Sequence, residues 1–208
     1  MANAQTINNP CSNPMTLLQA KHKQALADRD SNSRYCTLAT LEQNDPSQVR
    51  MRTLVMREIT KESCLMFVNR RAQKNISDLE NTRVEVLFFY PTLMSQFRMR
   101  GTLSLLPQKV VETHWQHKPY EAKLLDHFYA RFQAQSGSIA GRKDLESGIS
   151  LLEKEYPDPS SVPFIEDAVG LVVTANYLGV WQGNDSGIHD RQLYTLQKGE
   201  WHDQMIVP

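Results

Sequence analysis

Two stretches of this chain hold the residue types that grip a flat, phosphorylated and partly apolar ligand. Trp181-Gln182-Gly183-Asn184-Asp185-Ser186-Gly187-Ile188-His189-Asp190-Arg191 brings together an indole, an imidazole and a guanidinium. Arg50-Met51-Arg52-Thr53-Leu54-Val55-Met56-Arg57 sets arginines into a run of strand character. Guanidinium forks bind phosphate oxygens in pairs, and an indole covers a ring edge. Each stretch also has a plainer meaning. Arginines alternating along a strand commonly form a solvated face, a tryptophan is commonly core, and Asp190-Arg191 could be a local ion pair of little energy. It is the pair of stretches, over a hundred residues apart, that points to a site.

Other chemistries find less support. No G-x-G-x-x-G follows a strand, which argues against a dinucleotide-binding crossover. The histidines show no paired i,i+4 or H-E-x-x-H pattern, so no metal site is expected. The 23 basic and 23 acidic side chains cancel, so no overall field recruits nucleic acid or an anionic membrane, and any anion site must be local. Apolar runs such as Val86 to Phe89 are far shorter than a membrane span. Cys11, Cys36 and Cys64 lack ligand spacing and are odd in number, which fits a reducing cytoplasm better than a disulfide framework. No secretory signal is evident in the polar N-terminus, and residues 1–14 read as a flexible tail.

The elements that must position the two stretches are legible as periods. Met15 to Asp28 reads as an amphipathic helix with Leu17, Leu18, Ala25 and Leu26 inside. Strands are expected at Tyr35 to Leu41, Val49 to Glu58, Cys64 to Asn69, Arg83 to Tyr90 and Met94 to Leu106. Arg71 to Glu80 has helical composition. Helices then follow at Gln108 to Lys118, Tyr120 to Ala134 and Arg142 to Glu155, where helix formers dominate. Further strands are expected at Val169 to Ala175, Tyr177 to Gly183, Gln192 to Gln197 and Trp201 to Ile206, with Lys198-Gly199 as a hairpin turn. Strands, a helical insertion at about 108–156 and more strands describe an α+β chain, mainly β. The layout is an antiparallel barrel with surrounding helices, formed as a single domain over 15–208.

The ordered series Arg52-Thr53-Leu54-Val55-Met56-Arg57, Phe67-Val68-Asn69, Gln73-Lys74, Gln96 before Gly101, Gln135-Ser136, Trp181-Gln182-Gly183 and His189-Asp190-Arg191 resembles the pyridoxamine 5'-phosphate oxidase family. The resemblance runs from about Arg34 to Pro208. It implies an FMN-binding split β-barrel and a homodimer with FMN at the interface. Arg52, Arg57 and Lys74 would hold the flavin phosphate, with the backbone from Thr53 through Leu54 and Val55 to Met56 beside the ring. Phe67 and Val68 would touch the cofactor where the family often has Tyr-Thr, and Gln73 stands where an arginine is usual. Gln96 would hydrogen-bond the ring's polar edge. Gln135 and Ser136 would come from the partner chain, and Trp181 and Arg191 would close the site.

The substrate side departs further from the family. Gly187 stands where the family has an arginine over the substrate ring. The substrate phosphate pocket, Lys, Tyr, Arg and Ser in the family, corresponds here to Arg57, His114, Lys118 and Ala122. His189 is the candidate catalytic residue over the substrate. The implied activity is oxidation of pyridoxamine or pyridoxine 5'-phosphate to pyridoxal 5'-phosphate, with O2 reduced to H2O2. Retained His189, Asp190, Arg191 and Lys118 favour that activity. Gly187, Ala122 and His114 favour a different substrate on the same barrel, or a non-catalytic FMN- or pyridoxal-phosphate-binding homologue.

Overall fold

The computed structural model describes residues 13–42, 45, 47–72 and 80–208. Helix α1 (Pro14–Ala27) begins at Asn13, whose side-chain oxygen accepts from the Met15 amide at 2.9 Å. Pro14 occupies the first turn, where its missing N–H has no intrahelical partner to lose. Leu18 and Ala25 are buried as expected and Met15 joins them, whereas Leu26, on the flank of that stripe, is 43% exposed.

Eight strands follow: β1 (Tyr35–Leu41), β2 (Val49–Ile59), β3 (Ser63–Asn69), β4 (Arg83–Tyr90), β5 (Ser95–Leu105), β6 (Ala168–Gln182), β7 (Asp190–Gln197) and β8 (Glu200–Met205). Their order in the sheet is β3-β2-β1-β4-β5-β6-β7-β8, and β3 also pairs with β6. That pairing closes a six-stranded antiparallel barrel, from which β7 and β8 extend. The helices between β5 and β6 are α2 (Gln108–Trp115), α3 (Tyr120–Arg131) and α4 (Arg142–Glu155). The architecture is therefore the α+β split barrel expected.

Two elements differ from the sequence reading. The strands expected on either side of Asn176 are one continuous strand, β6, because exposed Asn176 sits in the ladder without breaking it. Of the helix expected over Arg71 to Glu80, the described part is a 3₁₀ turn at Arg70–Ala72, and 73–79 lie outside the described residues.

The described residues group into two compact units. One is drawn from Met1–Met66, Glu80–Ser104 and Val172–Pro208, the other from Phe67–Leu79 and Leu105–Leu171. In the first, strict alternation sorts the side chains. Val84, Val86, Phe88 and Tyr90 of β4 and Phe97, Met99 and Leu103 of β5 are buried. Each fully buried side chain of this size contributes about 1.5–3 kcal/mol. The opposite face carries Leu87 and Phe89, with Arg98 and Gln96 as their cross-strand partners. Lys198 and Gly199, both at positive φ, close the β7–β8 hairpin as expected.

The second unit has its own core of Val111, Trp115, Leu124, Phe128, Leu152, Val162 and Ala168. Gly148 of α4 lets the helix approach α3 closely. A Cβ there would lie 2.5 Å from the Phe128 ring.

Candidate functional site

In the first unit a cavity of about 390 Å³ is lined by Gln96 and Arg98 of β5, Trp181 of β6, Arg191 of β7, His189 and Phe89. Its volume suits a small-molecule ring system. Val180, Leu193 and Ile206 add apolar wall. Four residues singled out in the sequence, Gln96, Trp181, His189 and Arg191, thus meet in one pocket. Strand register explains the convergence. Trp181 is the cross-strand partner of Arg191, and the Trp181 and His189 rings lie 5.4 Å apart between centroids.

The end of β6 is held in place by its neighbours. The Gln182 amide donates to the Leu93 carbonyl at 2.9 Å while its oxygen accepts from the Ser95 hydroxyl at 2.5 Å. The Gly183 amide donates to the Met94 carbonyl at 2.8 Å. These bonds fix the position from which the indole projects.

Among the described residues, neither Arg98 nor Arg191 has a carboxylate within ion-pair distance. The pocket therefore combines aromatic walls, an amide, an imidazole and two uncompensated cations. Phe89 and Arg98 were not singled out in the sequence. Arg98 could have been, since it lies two residues from Gln96 on the same strand face.

The arginine run lies on β2. Arg52 pairs with Leu38 and Leu54 with Cys36, so Arg52 and Leu54, both half-buried, share a side with buried Met56, while Val49, Met51, Thr53 and Val55 are exposed. The register shifts between Met56 and Glu58, which leaves Arg57 as the extra residue of a β-bulge. A bulge re-aims the side chain it carries. Burial lowers the Arg57 guanidinium pKa, and burial followed by the Arg50 charge lowers that of Arg52. Both remain charged at neutral pH. Arg52 is half-buried and Arg57 exposed, and an anionic ligand would stabilise both charges.

In the second unit, Phe67 and Val68 are half-buried on β3, and the Phe67 ring lies 5.3 Å from that of His114. Lys118 forms an ion pair with Asp126, whose other oxygen accepts from the Asn69 amide at 3.0 Å. The side chains of the pair are only 16% and 6% exposed. Lys118 also sits over the Trp115 ring at 5.1 Å. Its charge is thus already balanced, a feature no spacing in the sequence announced. Gln135 and Ser136 occupy a turn in which the Gly137 amide donates to the Ala134 carbonyl at 2.9 Å, with Ser136 at φ 67°. Gln73 and Lys74, expected at the cofactor phosphate, lie outside the described residues.

Gly187 is in the exposed loop from β6 to β7, at φ 76°. Asn184 organises this loop, accepting from the Ser186 amide at 3.1 Å and the Ser186 hydroxyl at 2.6 Å. A Cβ on Gly187 would meet nothing within 4 Å. The position lacks a side chain for conformational and not for steric reasons.

Residues 15–107 match the sequence model of the family described as pyridoxamine 5'-phosphate oxidase, FMN-binding domain. These residues belong to that FMN-binding family. The chain is 28% identical to a pyridoxine/pyridoxamine 5'-phosphate oxidase of Psychrobacter cryohalolentis, over 95% of this chain and 89% of the relative. It is 27% identical to one of Rhodopirellula baltica, over 97% and 90%. In fold it is similar to PhzG from Burkholderia lata, with a TM-score of 0.84, 17% identity and coverage of 100% and 98%. A pyridoxamine 5'-phosphate oxidase-related, FMN-binding protein from Nostoc punctiforme gives a TM-score of 0.73 at 20% identity, over 94% and 97%.

The family's cofactor is FMN, and the residues present fit it. The aromatic and apolar walls of the pocket suit an isoalloxazine ring, and Gln96 contributes an amide to the lining. The guanidinium groups of Arg52 and Arg57 are of the type that suits a phosphate. The family match supports an FMN-dependent oxidoreductase.

Proposed function

We propose that this protein is an oxidase converting pyridoxamine or pyridoxine 5'-phosphate to pyridoxal 5'-phosphate, with O2 as the acceptor and H2O2 as the second product. The observation that carries this reading is the meeting of Gln96, Trp181, His189 and Arg191 in one pocket of ring-binding size. Bound FMN would supply the two-electron redox chemistry, and the protein would supply position and electrostatics.

Arg52 and Arg57, with Lys74, would hold the cofactor phosphate, and Thr53 to Met56 would run beside the ring. Trp181 and Arg191 would close the site and exclude water. The His189 imidazole, fixed against Trp181, would stand over the substrate and take or return the proton of its C4' substituent. Arg57 would meet the substrate phosphate. Gln135 and Ser136 would be contributed by a second copy. The exposed apolar row of Val49, Met51 and Val55 on β2, continued by Tyr35 and Leu41 of β1, supports a homodimer. The buried, unpaired thiols of Cys36 and Cys64 fit a reducing cytoplasm. No described helix is long and apolar enough to cross a membrane.

The test is oxygen uptake by the FMN-loaded protein with pyridoxamine 5'-phosphate, read beside the flavin absorbance. Uptake with aldehyde formation supports the oxidase. If His189→Ala leaves turnover unchanged, the role given to that imidazole is wrong. A second reading has its own observation. Lys118 is neutralised by Asp126, and Gly187 offers no cation, so the same flavin site could serve a substrate without a phosphate. A yellow protein inert toward the B6 vitamers would favour that reading, or binding alone.

A further inference from the structure

The pocket holds more positive charge than the roles above use. Arg52 and Arg57 lie on β2, away from its lining, and the oxidised flavin ring is neutral. Yet Arg98 and Arg191 both line this cavity, and among the described residues no carboxylate lines it. Arg98 is half-buried on β5, in line with Gln96 and opposite Leu87. Of the residues that line the cavity with it, Phe89, Val180, Trp181, Leu193 and Ile206 are apolar or aromatic, and none is a carboxylate. A cation held in partly desolvated surroundings without a partner is costly unless a ligand supplies the negative charge.

We propose that Arg98 is a ring-edge cation that makes the protein bind reduced flavin more tightly than oxidised flavin. The inference rests on the pocket being the place of the flavin ring. Uptake of two electrons and one proton leaves one negative charge on the N1–C2 carbonyl edge of the ring, and uptake of a second proton would remove it. Arg98, with Arg191, stabilises the singly protonated form. The two electrons and the proton come from the substrate's C–H bond in turnover, or from dithionite and water in the test. Arg98 would therefore raise the reduction potential of bound FMN and favour the half-reaction that oxidises the substrate.

The experiment compares wild type, Arg98→Met and Arg98→Lys by titration with oxidised FMN, oxidised riboflavin and dithionite against a reference dye. In Arg98→Met the ratio of reduced to oxidised affinity should fall about tenfold, the loss expected for a charge-assisted hydrogen bond. For a two-electron couple that is a potential lower by about 30 mV. Arg98→Lys should recover most of the shift, which a purely structural role would not produce. A ratio within twofold of wild type in both variants overturns the proposal while leaving FMN bound. Loss of FMN affinity in Arg98→Met with riboflavin affinity intact also overturns it, because Arg98 would then serve the phosphate. Failure of the wild type to bind FMN sinks the flavin site itself, and is thereby distinguished from failure of this inference. Should Arg98→Met not fold, Arg98→Gln, which keeps length and polarity without charge, carries the same comparison.

Discussion

Two half-buried cations in this chain have opposite surroundings. Lys118, in the helical unit, is matched by Asp126 and shielded by Trp115. Arg191, in the barrel unit, faces a cavity without a carboxylate partner among the described residues. The first arrangement is internally complete and the second is not. A cation that the fold has already neutralised is less available to a ligand than one left open. Residue type alone would have placed both in a phosphate site.

The contrast is broken most directly at Asp126. Asp126→Ala leaves Lys118 buried without its counter-charge and takes the acceptor from Asn69, and should cost about 3–5 kcal/mol of stability. Urea unfolding measures this. Loss below about 1 kcal/mol would mean that Lys118 escapes to solvent and that the pair is an ordinary surface contact.

Arg191→Met should do the reverse. Removing a guanidinium that no protein carboxylate needs leaves the apo stability nearly unchanged. FMN affinity should fall by about 1.5–3 kcal/mol, the worth of a hydrogen bond to a charged group. Fluorescence quenching of added FMN reads the affinity. If stability falls and affinity does not, the pocket is a structural cavity.

Gly187→Arg sharpens the substrate side. The side chain has room, but φ 76° is left-handed, so a destabilisation of about 1–2 kcal/mol is expected. If the proposed oxidase reaction holds, the added cation should lower KM for pyridoxamine 5'-phosphate while kcat changes little. A KM unaffected by the arginine would place the loop away from the substrate.

Much of this was legible in the sequence, for identifiable reasons. Strand alternation gave the buried and outward rows of β4 and β5, and the motif series gave Gln96, Trp181, His189 and Arg191 before any register was known. Arg98 was missed although the same alternation places it beside Gln96. It lies outside the motif series, and a lone arginine on a strand reads as a solvated one. Asp126 was not legible. It lies eight residues beyond Lys118, past the break at Pro119, so only the packing of α3 brings the two together. The continuity of β6 through Asn176 was hidden for a related reason. Local preference disfavours Asn in a strand, and pairing on both sides overrides it.

His22 offers the smallest and most easily isolated test, because it is a titratable group in the barrel unit with no carboxylate in ion-pair distance among the described residues. Its Nδ1 lies 3.1 Å from the Tyr90 hydroxyl, and burial lowers its pKa from the ordinary 6.5. The folded state therefore resists a proton that the unfolded chain accepts. Stability is intact above the unfolded value and declines as pH falls below 6.5. The slope must stay below the one-proton limit of about 1.4 kcal/mol per pH unit, and well below it for a group that keeps partial contact with water. His22→Gln, which retains a partner for Tyr90 but cannot be protonated, should flatten the decline that begins as pH falls below 6.5. An unchanged slope would show that the imidazole is protonated as readily in the fold as outside it. The acid sensitivity would then have to come from carboxylates such as Asp30. Its pKa is lowered by bonds to Thr92 and Asn32 that outweigh burial, so it contributes only at lower pH.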